Sequence, residues 1–203
     1  MKKKFLNSSM NAIKKYYPEY DEEKLEIIEY GLEGIYLTVT KLIIIYSLAY
    51  FLDILLETFL VSLTYNLIRF TAFGMHASKS LHCLIISLIT FIGGALLVIY
   101  LNISLLIKTM LSILCILLIY KYAPADTKNK PIVSSKRRKI YKTICIITGI
   151  IYTILIIVFN KHIISNYLLI GMIEAVITIL PITYKIFKLP YDNYKNYNFG
   201  LSN

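Results

Sequence analysis

The chain has 203 residues, is 57% hydrophobic and carries a formal charge of +10, with no tryptophan and a mean hydropathy of +0.64. That apolar share is too high for a soluble domain and points to a single unit embedded in lipid. The basic residues lie in the gaps between apolar runs, which argues for a membrane topology signal and against a nucleic-acid surface; three cysteines without paired spacing (Cys83, Cys115, Cys145) argue against a disulfide framework.

Residues 1–34 open with MKKKFLNSSMNAIKKYYPEYDEEK, which has no apolar core long enough for a cleaved signal peptide. They read as a cytosolic or interfacial amphipathic segment. A spanning helix needs about 20 mostly apolar residues, and residues 35–188 offer six candidates: 35–52, 54–72, 79–101, 104–122, 140–160 and 163–188. The first carries Lys41. The second is the least apolar, with Glu57, Asn66 and Arg69, and reads as a span shielded by other helices. The third, fourth and fifth are plainly apolar. The sixth contains Glu174 and Pro181, so it is expected to kink or stop at the proline. A basic loop, 123–139, separates the fourth and fifth, and 189–203 form a tail. The expected fold class is all-α: a polytopic membrane protein with an N-terminal amphipathic helix and about six transmembrane helices.

Lys and Arg positions orient these spans. Residues 1–15 hold five lysines, and residues 121–142 hold eight basic residues against one acid, Asp126. Six spans put both regions on one side, with Arg69, Lys79 and the tail. The other side receives short turns at Asp53, Asn102 and Lys161–His162. The cationic side is expected to be cytosolic, and both termini with it. The tyrosine-rich ends read as interfacial belts rather than a ligand site.

The stretch FGMHASKSLHCLIIS, residues 73–87, lies on that same side. An imidazole can take a thiol's proton and then act as general acid, which makes His76 and Cys83 the expected pair. On a continuous helix their seven-residue spacing would leave them about 10 Å apart. A working dyad therefore needs His76 off the helix, folded back over its first turn. Gly74 permits the bend, Ser78 or Ser80 can cap the new helix, and the positive helix end favours the thiolate. Ser80 and Ser87 share the Cys83 face. Arg69 is placed to meet an acidic group or a developing oxyanion. His82 points about 100° away from Cys83 on a helix and is the weaker base. No third residue orienting His76 is evident, although Asn66 is a candidate. Cys115 and Cys145, inside apolar helices, read as core residues. His76, His82 and Cys83 do not match zinc-ligand spacing, so no metal or other cofactor is expected. Glu174 is costly inside a span unless paired or functional; Lys41 or Arg69 are candidate partners, and a cavity for peptide is the other expectation.

The run RFTAFGMHASKSLHCLIIS resembles the catalytic segment of the accessory gene regulator B family, membrane cysteine endopeptidases of Gram-positive bacteria. The family's Arg, Gly, His-Ala and Cys correspond to Arg69, Gly74, His76-Ala77 and Cys83. The chain departs from the pattern at Phe73, where the family often has a first glycine. EYGLE at 29–33, YAPADTKNKPI at 122–132 and GMIEAVITILPI at 171–182 are similar to further family segments. The resemblance implies cleavage of a short quorum-sensing propeptide on the cytosolic side. Cys83 would attack the carbonyl ending the central region, the acidic tail would leave, and the thioester would pass to the peptide's own thiol or hydroxyl as a ring. Lys128, Lys130, Arg137 and Arg138 are expected to hold that acidic tail, although any cytosolic loop is cationic. A homodimer is expected, with Gly93-Gly94 allowing close helix approach. Lipid is an expected partner; nucleic acid is not. A peptide exporter and a structural membrane subunit are the competing readings, the first weakened by the lack of an internal repeat or paired broken spans.

Overall fold

A computed structural model describes residues 2–75, 80–127 and 131–196, with the side chains of Ser80 and Asn196 excepted. It is all-α, with no strand among the described residues: α1 (Lys2–Tyr16), α2 (Glu22–Phe51), α3 (Leu55–Ala72), α4 (Ser80–Tyr100), α5 (Leu105–Tyr122), α6 (Ser135–Val158), α7 (Ile164–Ile179) and α8 (Pro181–Ile186), then a 3₁₀ turn, Asn193–Asn196. The chain divides into two compact units, residues 1–48 and 49–203.

In the first unit, α1 buries Leu6 and Met10, a spacing of four that defines one helix face. Lys2 pairs with Glu33, and the Phe5 ring lies 5.3 Å from that of Tyr36, so the start of α1 is held to α2. Asp21 accepts a hydrogen bond from the Lys24 N–H at 2.9 Å. With Glu22 and Glu23 in the first turn, it satisfies and charge-complements the start of α2.

The second unit is built around α7. This helix buries Ser165, Tyr167 to Met172, Ala175, Val176 and Ile179, so most of its circumference is buried rather than one stripe, with Ile177 left exposed. α3 packs against it most closely. Gly171 makes that possible, because a Cβ there would run into Thr64 and the backbone of Tyr65. Thr64 donates to the Tyr167 carbonyl at 3.0 Å, and the Tyr152 hydroxyl of α6 donates to the Thr64 carbonyl at 3.0 Å. In α5, Lys108 is 4% exposed. Its Nζ meets Ser165 Oγ at 2.6 Å and the Asn160 carbonyl at 3.3 Å, which gives a cation inside an apolar helix its required partners.

The outer surface is the reverse of a soluble protein's: Ile89 is 68% and Phe70 80% exposed. Among the described residues, four helices (α2, α4, α5 and α6) are long and apolar enough to cross a membrane. α7 is apolar but shorter. It ends at Ile179, and Pro181 opens α8 at a helix position where its missing N–H costs nothing. Residues 123–127 and 131–134 are not helical, and residue 125 makes a parallel bridge with Phe73.

Candidate functional site

The end of α3 decides where the 73–75 segment runs. Phe73 and Gly74 both take positive φ, 59° and 111°. The segment is laced on both sides. Ala125 donates its N–H to the Ala72 carbonyl at 2.9 Å and accepts from the Gly74 N–H at 2.8 Å; the Met75 N–H donates to the Thr178 carbonyl at 3.0 Å. Phe73 takes a glycine-like conformation, and its ring packs edge-on to Tyr141 at 5.1 Å. At Gly74 a Cβ would lie 2.6 Å from Thr178 Oγ1 and 2.9 Å from both the Thr178 carbonyl and Arg69 Nη1. Only glycine meets both the backbone and the space requirement there.

Arg69 turns from the last turn of α3 onto this segment. Its Nη2 donates to the Met75 carbonyl at 2.5 Å, and its guanidinium carbon lies 5.5 Å from the centre of the Tyr65 ring. Its Nη1 is buried and makes no hydrogen bond among the described residues. The Tyr65 phenol hydrogen-bonds with the Thr178 side chain of α7, and Arg69 of α3, Cys83 of α4 and Glu174 of α7 are near enough to act on it electrostatically. Glu174 occupies the space against Gly94, and its Oε2 is buried without a hydrogen-bond partner among the described residues. No ion pair joins it to Arg69 among the described residues.

Cys83 stands in the first turn of α4, half-buried and unbridged, while Cys115 and Cys145 are free but sealed in the core. Ser87 is half-buried one turn further along α4, and Ser80 is that helix's first residue. Gly94 packs inside the chain, whereas Gly93 meets nothing within 4 Å. Asn66 is exposed and donates to the Ser62 carbonyl of its own helix at 2.7 Å. His76, Lys128 and Lys130 lie outside the described residues.

The two arginines of the basic loop part company. Arg137 is exposed, its backbone N–H bonded to Ser134 Oγ at 3.4 Å. Arg138 folds inward: its guanidinium lies 3.6 Å from the centre of the Tyr194 ring, its Nη2 donates to the Pro124 carbonyl at 3.3 Å, and its Nη1 is 3.8 Å from Asp126. Sequence reasoning passed over Asp126, 2% exposed, which accepts from the backbone N–H groups of Asn193 (3.0 Å), Tyr194 (2.9 Å) and Ile132 (3.3 Å). The Tyr184 hydroxyl lies 3.0 Å from the Asp126 carbonyl oxygen. The signal available in the sequence was a lone acid amid eight basic residues. In the tail that this acid holds, burial pushes the Tyr191 phenol up to about 12, with neighbouring Asp192 adding to the effect. The hydrogen bond from Lys195 to Asp192 raises the lysine above its usual value.

Several apolar helices long enough to cross a bilayer define a polytopic helical membrane protein, and in its second unit a half-buried thiol, Cys83, opens α4. The family model for accessory gene regulator B matches residues 6–179, and the chain belongs to that family. It is 37% identical to the accessory gene regulator protein B of Staphylococcus aureus strain Newman over 76% of this chain and 81% of that one. It is 35% identical to an AgrB-like protein of Listeria innocua over 87% of each chain. An AgrB-like protein of Clostridium acetobutylicum is 31% identical over 85% of this chain and 83% of its own. No solved structure matches the chain.

Proposed function

We propose that the protein is a cysteine endopeptidase that removes the acidic C-terminal tail of a quorum-sensing propeptide and closes the remaining peptide into a thiolactone or lactone ring. The observation that carries this reading is Cys83: of three cysteines, it alone escapes the core, at the start of α4, beside the Tyr65–Arg69 cluster. A thiol needs such access to act as a nucleophile.

In this mechanism His76 takes the Cys83 proton and the thiolate attacks the carbonyl that ends the central region. A C–S bond forms, and the scissile C–N bond breaks as the tail's amine leaves with a proton from the imidazolium. The peptide's own thiol or hydroxyl then attacks the thioester, gives up its proton, and returns Cys83 to its starting state. No oxidant or cofactor is consumed. A thioester keeps its acyl reactivity where water is scarce. Arg69, with a buried Nη1 that has no hydrogen-bond partner among the described residues, is suited to developing negative charge. Gly74 shapes the segment, Ser80 and Ser87 share the Cys83 helix, and Glu174 lines the peptide's path. Arg137 with Lys128 and Lys130 is the exposed cationic group for the acidic tail; Arg138 already serves Asp126, Pro124 and Tyr194. The reading places both termini and the site on the cytosolic side, and treats the working form as a homodimer.

The test is Cys83→Ala in reconstituted vesicles, supplied with the precursor encoded by a neighbouring reading frame. Loss of tail release with the precursor retained is expected. Unaltered peptide movement by the variant would support an exporter instead, and tail release by the variant would end the peptidase reading.

A further inference from the structure

The 73–75 segment leads directly into residue 76, yet little in its own sequence holds it. It is not helical, and Phe73 carries positive φ without being glycine. Such conformations cost of the order of 1–3 kcal/mol and persist only where surroundings over-determine them. The surroundings here are Thr178 on one side and Ala125 on the other. Ala125 is itself held from the next residue. Asp126 gathers three backbone N–H groups and a guanidinium, two of those N–H groups coming from the chain's own tail. Tyr184 closes the arrangement by lying 3.3 Å from the Ala125 and 3.0 Å from the Asp126 carbonyl oxygens. A line of contacts therefore runs from residues 193–194 through Asp126 and Ala125 to Gly74 and Met75. The helices are joined elsewhere as well: Thr64, Tyr152, Tyr167 and the close approach at Gly171 connect α3, α6 and α7.

We propose that Asp126, clasped by residues 193–194, is a positioning residue for the Cys83 site, and that the C-terminal tail is thereby a working part of that site. The proposal rests on the peptidase reading. An Asn at 126 removes the ion pair with Arg138 and turns an N–H donor toward the backbone N–H of one tail or loop residue, so part of the clasp is lost while the shape is kept.

The experiment compares the full-length chain, Asp126→Asn, and a chain ending at Leu189, each reconstituted in vesicles with the precursor. Displacing a reacting group by an ångström costs up to about 100-fold, so kcat for tail release is expected to fall roughly tenfold or more in both variants, with KM little changed. Maleimide labelling is read on the same samples. Slower labelling of Cys83 is expected while Cys115 and Cys145 stay protected. Wild-type turnover in both variants would overturn the proposal. So would labelling of Cys115 and Cys145, because Asp126 would then hold the bundle rather than the site. Cys83→Ala run in parallel separates the two ideas: if it still releases the tail, the peptidase reading fails whatever Asp126 does.

Discussion

Gly74 shows how tightly a single residue is specified here. Its φ of 111° is unfavourable for any side chain, and a Cβ would also press on Thr178 and Arg69. Gly74→Ala therefore has no relaxed solution. Either Met75 leaves the Thr178 carbonyl or Arg69 leaves the Met75 carbonyl. Tail release by Gly74→Ala is expected to fall roughly tenfold or more, since both moves displace the segment that precedes residue 76. Wild-type turnover would refute the account. Spacing in the sequence pointed to Arg69, Gly74 and Cys83, because chemistry restricts residue type and a short segment restricts distance. It did not point to Tyr65, Thr178 or Ala125, whose contributions come from another helix's carbonyl, a phenol inside an apolar run, and a backbone bridge. Glu174 stood out as a carboxylate in an apolar helix. Only the packing shows that it lies against Gly94.

Among the elements, α7 is the most dependent on its neighbours. Its sequence reads as an apolar helix interrupted near Pro181, and the helix does end at Ile179. That α3, α4, α5 and α6 all pack against it is not written in its own hydropathy, because lipid and a protein core are equally apolar and both accept the same residues. Gly171 carries the closest of these approaches. Gly171→Ala forces a methyl group onto Thr64 and to 2.8 Å from the Tyr65 N–H nitrogen. Overpacking of this kind costs about 1–3 kcal/mol. A lowered midpoint of thermal unfolding in detergent is expected, and an unchanged midpoint would show that α3 and α7 can separate freely. Lys108 makes a related point. It looks out of place in α5 until Ser165 and the Asn160 carbonyl, more than 50 residues away, are seen to receive it.

At the scale of the whole chain, the distribution of Lys and Arg sets an expected topology, with the 121–142 loop on the cytosolic side and the Lys161–His162 turn on the other. A cysteine-free background bearing one new cysteine, at Arg137 or at Lys161, checks it. An impermeant maleimide added to intact cells should label the Lys161→Cys chain and spare the Arg137→Cys chain; the opposite pattern would put the 121–142 loop on the outer face and exclude the cytosolic site proposed above.

The amino-acid sequence by itself determined that this is an all-helical membrane protein, where its apolar helices fall, and which short segment concentrates thiol, imidazole and guanidinium. Composition and periodicity suffice for that, because lipid leaves the backbone few ways to satisfy its hydrogen bonds. Tertiary structure decided which polar groups share a cluster, which of two adjacent arginines faces inward, and that a tail residue's N–H reaches an acid 68 positions earlier. Such pairings depend on how helices cross and where irregular backbone bends, and neither is a property of any local stretch of residues.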